Sequence, residues 1–182
     1  MSHTTKIPAG VSRAAAVTAL QDTEHFLKRN PHTAHYEAIT PDEPPTLPEG
    51  LVGTAPTTSF KVTDRMATLP AGLLDSDVVS TYQFTSVADG VFVRIFAPLG
   101  VVLETVWHVA TAASEGGVEG DVEAETEATG PASTAEEDGE LELVEDLTIR
   151  CSRLLVPVVR RQCENGWEEM HGKIITQLTA AA

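Results

Sequence analysis

Two carboxylates in this chain fall on strand faces that are otherwise made of carbon. Over residues 60–66 the side chains alternate, so Phe60, Val62, Asp64 and Met66 share one face while Lys61, Thr63 and Arg65 share the other. Over residues 141–149 the same period places Glu145 with Leu141, Leu143, Leu147 and Ile149. Burying a carboxylate is tolerated only where it is paired or faces a wet cavity. Desolvation there raises its pKa, which suits it to general acid or base work. Tyr82, in phase with Val78 and Phe84, and His171, one helical turn after Trp167, are the other groups that could move a proton at such a site. Asp64, Glu145, His171 and Tyr82 are therefore the candidate catalytic residues. Each has a plainer alternative. Asp64 sits beside Arg65 near a strand end, Tyr82 could be a core aromatic with a satisfied hydroxyl, and His171 could lie on a solvated helix edge. Arg94 is a candidate partner for Glu145, although the run Val91, Phe92, Val93, Arg94, Ile95, Phe96 leaves its face open.

These groups need a frame, and the pattern supplies one. Leu155, Val159, Cys163, Trp167, Met170, Ile174 and Leu178 recur at steps of four and three, which predicts a helix over residues 157–178 with one buried stripe. Pro157 suits its first turn, and Gly166 and Gly172 weaken it by roughly 1 kcal/mol each, so packing must compensate. Residues 3–7 read as a short edge strand. Residues 12–29 read as one helix capped by Ser12, ended by Asn30 and Pro31, and residues 33–39 as a strand. Residues 40–56 are crowded with proline and predict an irregular loop. From residue 57 onward, period-two runs at 57–66, 78–86, 91–97, 101–110 and 141–149, with a hairpin turn at Ala88, Asp89 and Gly90, predict an antiparallel meander.

With strands in this phase, the apolar walls of a cavity between helix and sheet would be Phe60, Val62, Met66 and Phe84 on one side. Leu103, Thr105, Trp107 and Leu143 would form the other, and Cys163, Trp167 and Met170 the helix face, with Arg94 as a further binding residue. Glu104 and His108, opposite Trp107, are expected in solvent. His25, His32 and His35 lack ligand spacing, so no metal is expected, and no cofactor motif occurs: GxSxG, a phosphate-binding glycine loop and HExxH are all missing from the sequence.

A chain of 182 residues with 42% apolar content suits a single domain over residues 1–182. Its formal charge of -15 is concentrated: residues 111–140 hold ten acids and no Lys or Arg, leaving 17 acids against 12 bases elsewhere. Residues 112–138 are rich in Glu, Gly, Ala, Thr and Ser and predict a disordered acidic insertion between two strands. The acidity argues against nucleic acid or an anionic membrane as principal partner. The first ten residues carry no signal pattern, and no apolar run approaches the ~18 residues of a membrane span, so a cytoplasmic chain without stable membrane insertion is expected. Two cysteines, Cys151 and Cys163, stand outside any redox or zinc spacing.

The order strand, helix, antiparallel meander, long C-terminal helix resembles the helix-grip fold of the START and birch-pollen-allergen superfamily. Ala88-Asp89-Gly90-Val91, then Ala97-Pro98-Leu99-Gly100-Val101 and Trp107, are similar to a fungal-type branch of it. The resemblance spans the chain outside the acidic insertion. It implies an α+β fold, a curved antiparallel β-sheet wrapped around the C-terminal helix with an internal cavity that takes a hydrophobic small molecule. The superfamily holds lipid and sterol carriers, hormone receptors, and enzymes that cyclise or dehydrate polyketides and alkaloids. The expected function is thus a cofactor-free cyclase, or a related lyase or isomerase, acting on a polyketide or terpenoid, pericyclic chemistry included. The alternatives are a non-catalytic lipid, sterol or pigment carrier and, third, an interaction module using the acidic insertion.

Overall fold

The computed structural model describes residues 1–41, 46–67, 75–112 and 139–181, with the side chains of Met66, Ala67, Asp75 and Ala181 outside that description. Residues 113–138 of the predicted acidic insertion lie outside the described residues. Seven strands form one antiparallel sheet in the order β1-β7-β6-β5-β4-β3-β2. They are β1 (Ser2–Lys6), β2 (Thr33–Ile39), β3 (Thr58–Ala67), β4 (Asp75–Val87), β5 (Gly90–Ala97), β6 (Val101–Thr111) and β7 (Leu141–Arg150). The helices are α1 (Arg13–Gln21), α2 (Thr23–Arg29) and α3 (Val156–Ala181). A curved sheet gripping a long terminal helix is the expected α+β, helix-grip architecture.

Strands β2 to β7 pair in sequence order, with tight turns at β4–β5 and β5–β6, and only β1 crosses to the far edge to pair with β7. Gly90 is required at the β4–β5 turn: a Cβ there would overlap the Trp107 carbonyl oxygen across the ladder. The expected helix over residues 12–29 is two helices. Ser12 caps the first, its hydroxyl accepting from the Ala15 N–H (3.2 Å), and Asp22 starts the second by accepting from the His25 N–H (3.0 Å). The break lets α2 turn Phe26 and Leu27 inward, where both are buried.

Facing residues of paired strands share a side, so the register fixes the concave face. One row across it runs His3, Glu145, Trp107, Val91 and Ser86, and another runs Ile149, Leu103, Ile95, Tyr82 and Phe60. Under the first row and α2 the interior is filled by aromatic rings. Phe26 meets Phe84 at 5.7 Å and Trp107 at 5.4 Å, and Phe60 meets Phe84 at 5.9 Å, all edge to face. Met170, Ile174 and Leu178, on the second half of α3, join this core. The first half does not: Leu155, Val159, Cys163 and Trp167 are half-buried, as are the concave residues Val78, Ile95, Leu103 and Ile149 at that end of the sheet. The helix–sheet interior is thus closed at one end and reached by solvent at the other.

The convex face is also covered. The loop over residues 46–57 crosses it, the Thr54 N–H donating to the Ser86 carbonyl (2.8 Å) and Gly53 bridging Val87. Phe92 is fully buried there, and Glu104, expected in solvent, is buried between Arg94 (2.6 Å) and Arg150 (2.8 Å). Local alternation could not reveal the cover that the distant loop supplies.

Candidate functional site

The four predicted catalytic residues all point into the concave side, in two clusters. The first joins β2, β3 and β4. Asp64 is 6% exposed, and its two oxygens accept from the Tyr82 hydroxyl (2.7 Å) and the Thr33 hydroxyl (3.0 Å). Alternation along β3 turns Asp64 inward with Val62, and a bulge in β2 between Thr33 and His35 brings Thr33 opposite it. Burial, then the neighbouring Asp64 charge and hydrogen bond, hold the Tyr82 phenol well above its ordinary pKa, so it remains a proton donor.

The second cluster joins β1, β7 and α3. Glu145 is 9% exposed and His171 1%. The His3 Nδ1–H donates to Glu145 Oε2 (3.1 Å), since a carboxylate can only accept, and the His3 ring stacks on Trp167 with centroids 4.6 Å apart. His171 Nδ1 bonds the Thr5 hydroxyl (2.8 Å), while its Nε2 is buried without a hydrogen-bond partner. Nε2 lies 3.6 Å from Glu145 Oε2, too long for a hydrogen bond and an ion pair only if the ring is protonated. Trp107 and Trp167 wall the imidazole at 5.1 and 5.3 Å. Either tautomer leaves Nε2 one unused function, a lone pair if Nδ1 carries the proton and an N–H if it does not.

Asp64 and Glu145 sit on strands four spacings apart, about 19 Å across the sheet, and the register offsets them further along the strands, since Glu145 shares a row with Ser86 while Asp64 faces Val78. Between them α3 presents Cys163, half-buried. Its thiol is pushed up to about 11, first by burial and then by the charges of Glu145 and Glu164, so it is protonated and no nucleophile at neutral pH.

Of the predicted wall residues, Phe60, Val62, Phe84, Thr105, Trp107, Leu143 and Met170 are buried in the concave core, and Leu103, Cys163 and Trp167 line its open end. The Met66 side chain lies outside the described residues. Arg94 does not join the site: it points to the convex face, donates to Glu104 Oε1 (2.8 Å) and to the Thr46 carbonyl (2.6 Å), and leaves Glu145 to His3. His3, Thr5 and Thr33 are the site residues that sequence reasoning missed. His3 and Thr5 share the parity of buried Ile7, the one signal that could have found them. Among the described residues no three His, Cys, Asp or Glu side chains converge as a metal site would require. Two open clefts, of about 1380 and 460 Å³, lie elsewhere, beside α1 and under the loop at Leu51, and none of the predicted site residues lines them.

A search of curated proteins finds no match. Among solved structures, the protein TTHA0849 from Thermus thermophilus superposes with a TM-score of 0.51 at 12% identity, covering 100% of this chain and 98% of that one, which is a likeness of fold. The family model described as a domain of unknown function, DUF7053, matches residues 1–180, and the chain belongs to that family.

Proposed function

We propose that the open end of the concave face, beneath the first half of α3, takes a mostly apolar small molecule, and that Glu145 and His171 act on it as an acid–base pair. The supporting observation is the unpartnered Nε2 of His171, 1% exposed, beside a carboxylate it does not hydrogen-bond. A buried polar atom left unpaired costs about 1–3 kcal/mol, a cost that a hydrogen-bonding group of a ligand at Nε2 would relieve. A hydroxyl or carbonyl between Nε2 and Glu145 would meet one donor and one acceptor. That pairing can relocate a proton on a substrate, with Tyr82 and Asp64 able to hold or protonate a polar group at the far side.

The chemistry is that of a cofactor-free cyclase, lyase or isomerase, in which the shaped wall folds the substrate and the acid–base pair moves the proton. The resemblance to the START and birch-pollen-allergen superfamily supports a hydrophobic ligand of polyketide or terpenoid type. A second reading, a non-catalytic lipid, sterol or pigment carrier, is favoured by the all-carbon side chains of Val78, Ile95, Leu103 and Ile149 at the open end.

The test is turnover of a panel of linear polyketide and polyene precursors followed by mass spectrometry, with native mass spectra of the same mixtures. The expected result is conversion by the wild-type chain and loss of it in Glu145→Gln and in His171→Asn, which keeps an amide near the Nδ1 position and deletes Nε2. Ligands that bind and emerge unchanged would replace the enzyme by the carrier. Equal turnover by both variants would remove the acid–base assignment.

A further inference from the structure

Residues 147–163 hold four arginines, Arg150, Arg153, Arg160 and Arg161, and no acid, in a chain whose formal charge is -15. The same stretch exposes large apolar side chains. Leu154 is 88% exposed, Val158 67% and Val156 37%, and Leu99, from the Pro98–Gly100 turn at the start of β6, is 81% exposed. Both segments emerge from one end of the adjacent strands β6 and β7, where Val102 pairs with Arg150.

Leu99 adds a separate indication. Its φ of 62° lies in the left-handed region, which a side chain with a Cβ occupies only at a cost and which Gly or Asn fills more easily. Stability does not explain a leucine there, because its side chain buries almost nothing. The opposite end of the sheet has the opposite character. The acid-rich stretch is joined to the sheet at Thr111 and Leu141, a β6 length of about 33 Å from the arginines.

We propose that the arginine-bearing end docks reversibly on a lipid surface with anionic headgroups. Leu99, Leu154 and Val158 enter the boundary between headgroups and acyl chains, and arginines meet the phosphates. Arg150 and Arg160 already pair with Glu104 and Glu164, whereas Arg153 and Arg161 have no ion-pair partner among the described residues and supply the attraction. The charge selects this occupant over a second copy of the chain, since two such patches would bring arginines against arginines. The chain's overall acidity does not oppose it, because the acid-rich stretch joins the sheet at the other end, at Thr111 and Leu141. The inference stands apart from the interior acid–base reading, which uses none of these residues.

Co-sedimentation of the full chain with vesicles of phosphatidylcholine mixed with phosphatidylserine, against phosphatidylcholine alone, tests it. Sedimentation is expected with the mixed vesicles only and should weaken as salt rises. Arg153→Gln with Arg161→Gln should lower partitioning about 25-fold at roughly fivefold per arginine. Leu99→Ser with Leu154→Ser should lower it about a hundredfold at roughly tenfold per leucine. All four positions are solvent-facing, and circular dichroism of each variant separates lost docking from lost fold. Absence of sedimentation with mixed vesicles, equal sedimentation with neutral ones, or indifference to both variant pairs would overturn the proposal. So would analytical ultracentrifugation showing a dimer that the leucine pair dissolves, which would assign the patch to a second copy.

Discussion

Removing one oxygen atom tests whether the Asp64 cluster is built as described. Tyr82→Phe keeps the ring against Phe84, where the centroids are 6.2 Å apart, and deletes only the hydroxyl that donates to Asp64 Oδ2 at 2.7 Å. Asp64 retains Thr33 on its other oxygen but loses half of its partners at 6% exposure, so solvent cannot replace the bond. A hydrogen bond to a charged group is worth about 1.5–3 kcal/mol. For a domain of this size that lowers the thermal midpoint by about 3–12 °C. Asp64→Asn swaps an acceptor oxygen for a donor amide at one position, and the double variant closes a cycle whose coupling should reach about 1–2 kcal/mol. Chemical denaturation with matched slopes provides the free energies. A Tyr82→Phe variant within about 0.5 kcal/mol of the wild type, or a cycle with no coupling, would mean that the two groups do not meet in solution.

Three further outcomes follow from local geometry. Asp22→Ala should cost about 1 kcal/mol at neutral pH by uncapping α2. The His25 backbone hydrogen bond holds the Asp22 pKa below its ordinary value. Its contribution is therefore complete above the unfolded-state pKa of about 4 and fades as pH falls through the folded one, so wild type and variant should converge in acid unfolding curves. Leu99→Gly should raise stability by about 1 kcal/mol in urea, because it releases a backbone held at φ 62°, and no loss of packing offsets the gain. In a Cys151→Ser background, a disulfide reagent at pH 8 should label Cys163 roughly tenfold more slowly than a free thiol of pKa about 8.5, because its own pKa is about 11 and the greater nucleophilicity of its thiolate offsets only part of the lost thiolate fraction. Labelling as fast as the free thiol would place Cys163 outside the interior.

Much of this arrangement was legible because a half-buried antiparallel sheet has one period. Alternation turned Asp64 and Glu145 inward, and the paired register agrees. Where the sheet is covered on both sides alternation fails, and β5 is the example: Val91, Phe92 and Val93 are all buried, so Arg94 had no contrast to reveal its face. Glu104 failed for a related reason, since the cover over it comes from a loop some fifty residues earlier in the chain. The split of α1 from α2 depended on Asp22, whose side chain offers the backbone a competing cap inside an otherwise continuous helical pattern. His3 and Thr5 sit on a five-residue edge strand, too short for periodicity to separate a site residue from a surface one.

Glu104 also serves as an internal control for the site. The chain has a structural solution for a buried carboxylate, and it uses that solution on the convex face: two guanidinium groups within 2.8 Å of Glu104. On the concave face, at similar burial, Asp64 and Glu145 receive a phenol, a threonine hydroxyl and an imidazole, with no Lys or Arg among the described residues. Neutral or titratable donors satisfy a carboxylate's geometry without neutralising its charge, and they exchange protons where a guanidinium cannot. A fold selected for stability alone would have no reason to solve one problem in two ways on the two sides of one sheet. The concave solution also opens at the end where Leu103 and Ile149 are half-exposed, the end from which Leu99 and Leu154 project. An apolar molecule entering at that end would therefore reach Asp64 and Tyr82 before it reached the aromatic core around Phe26.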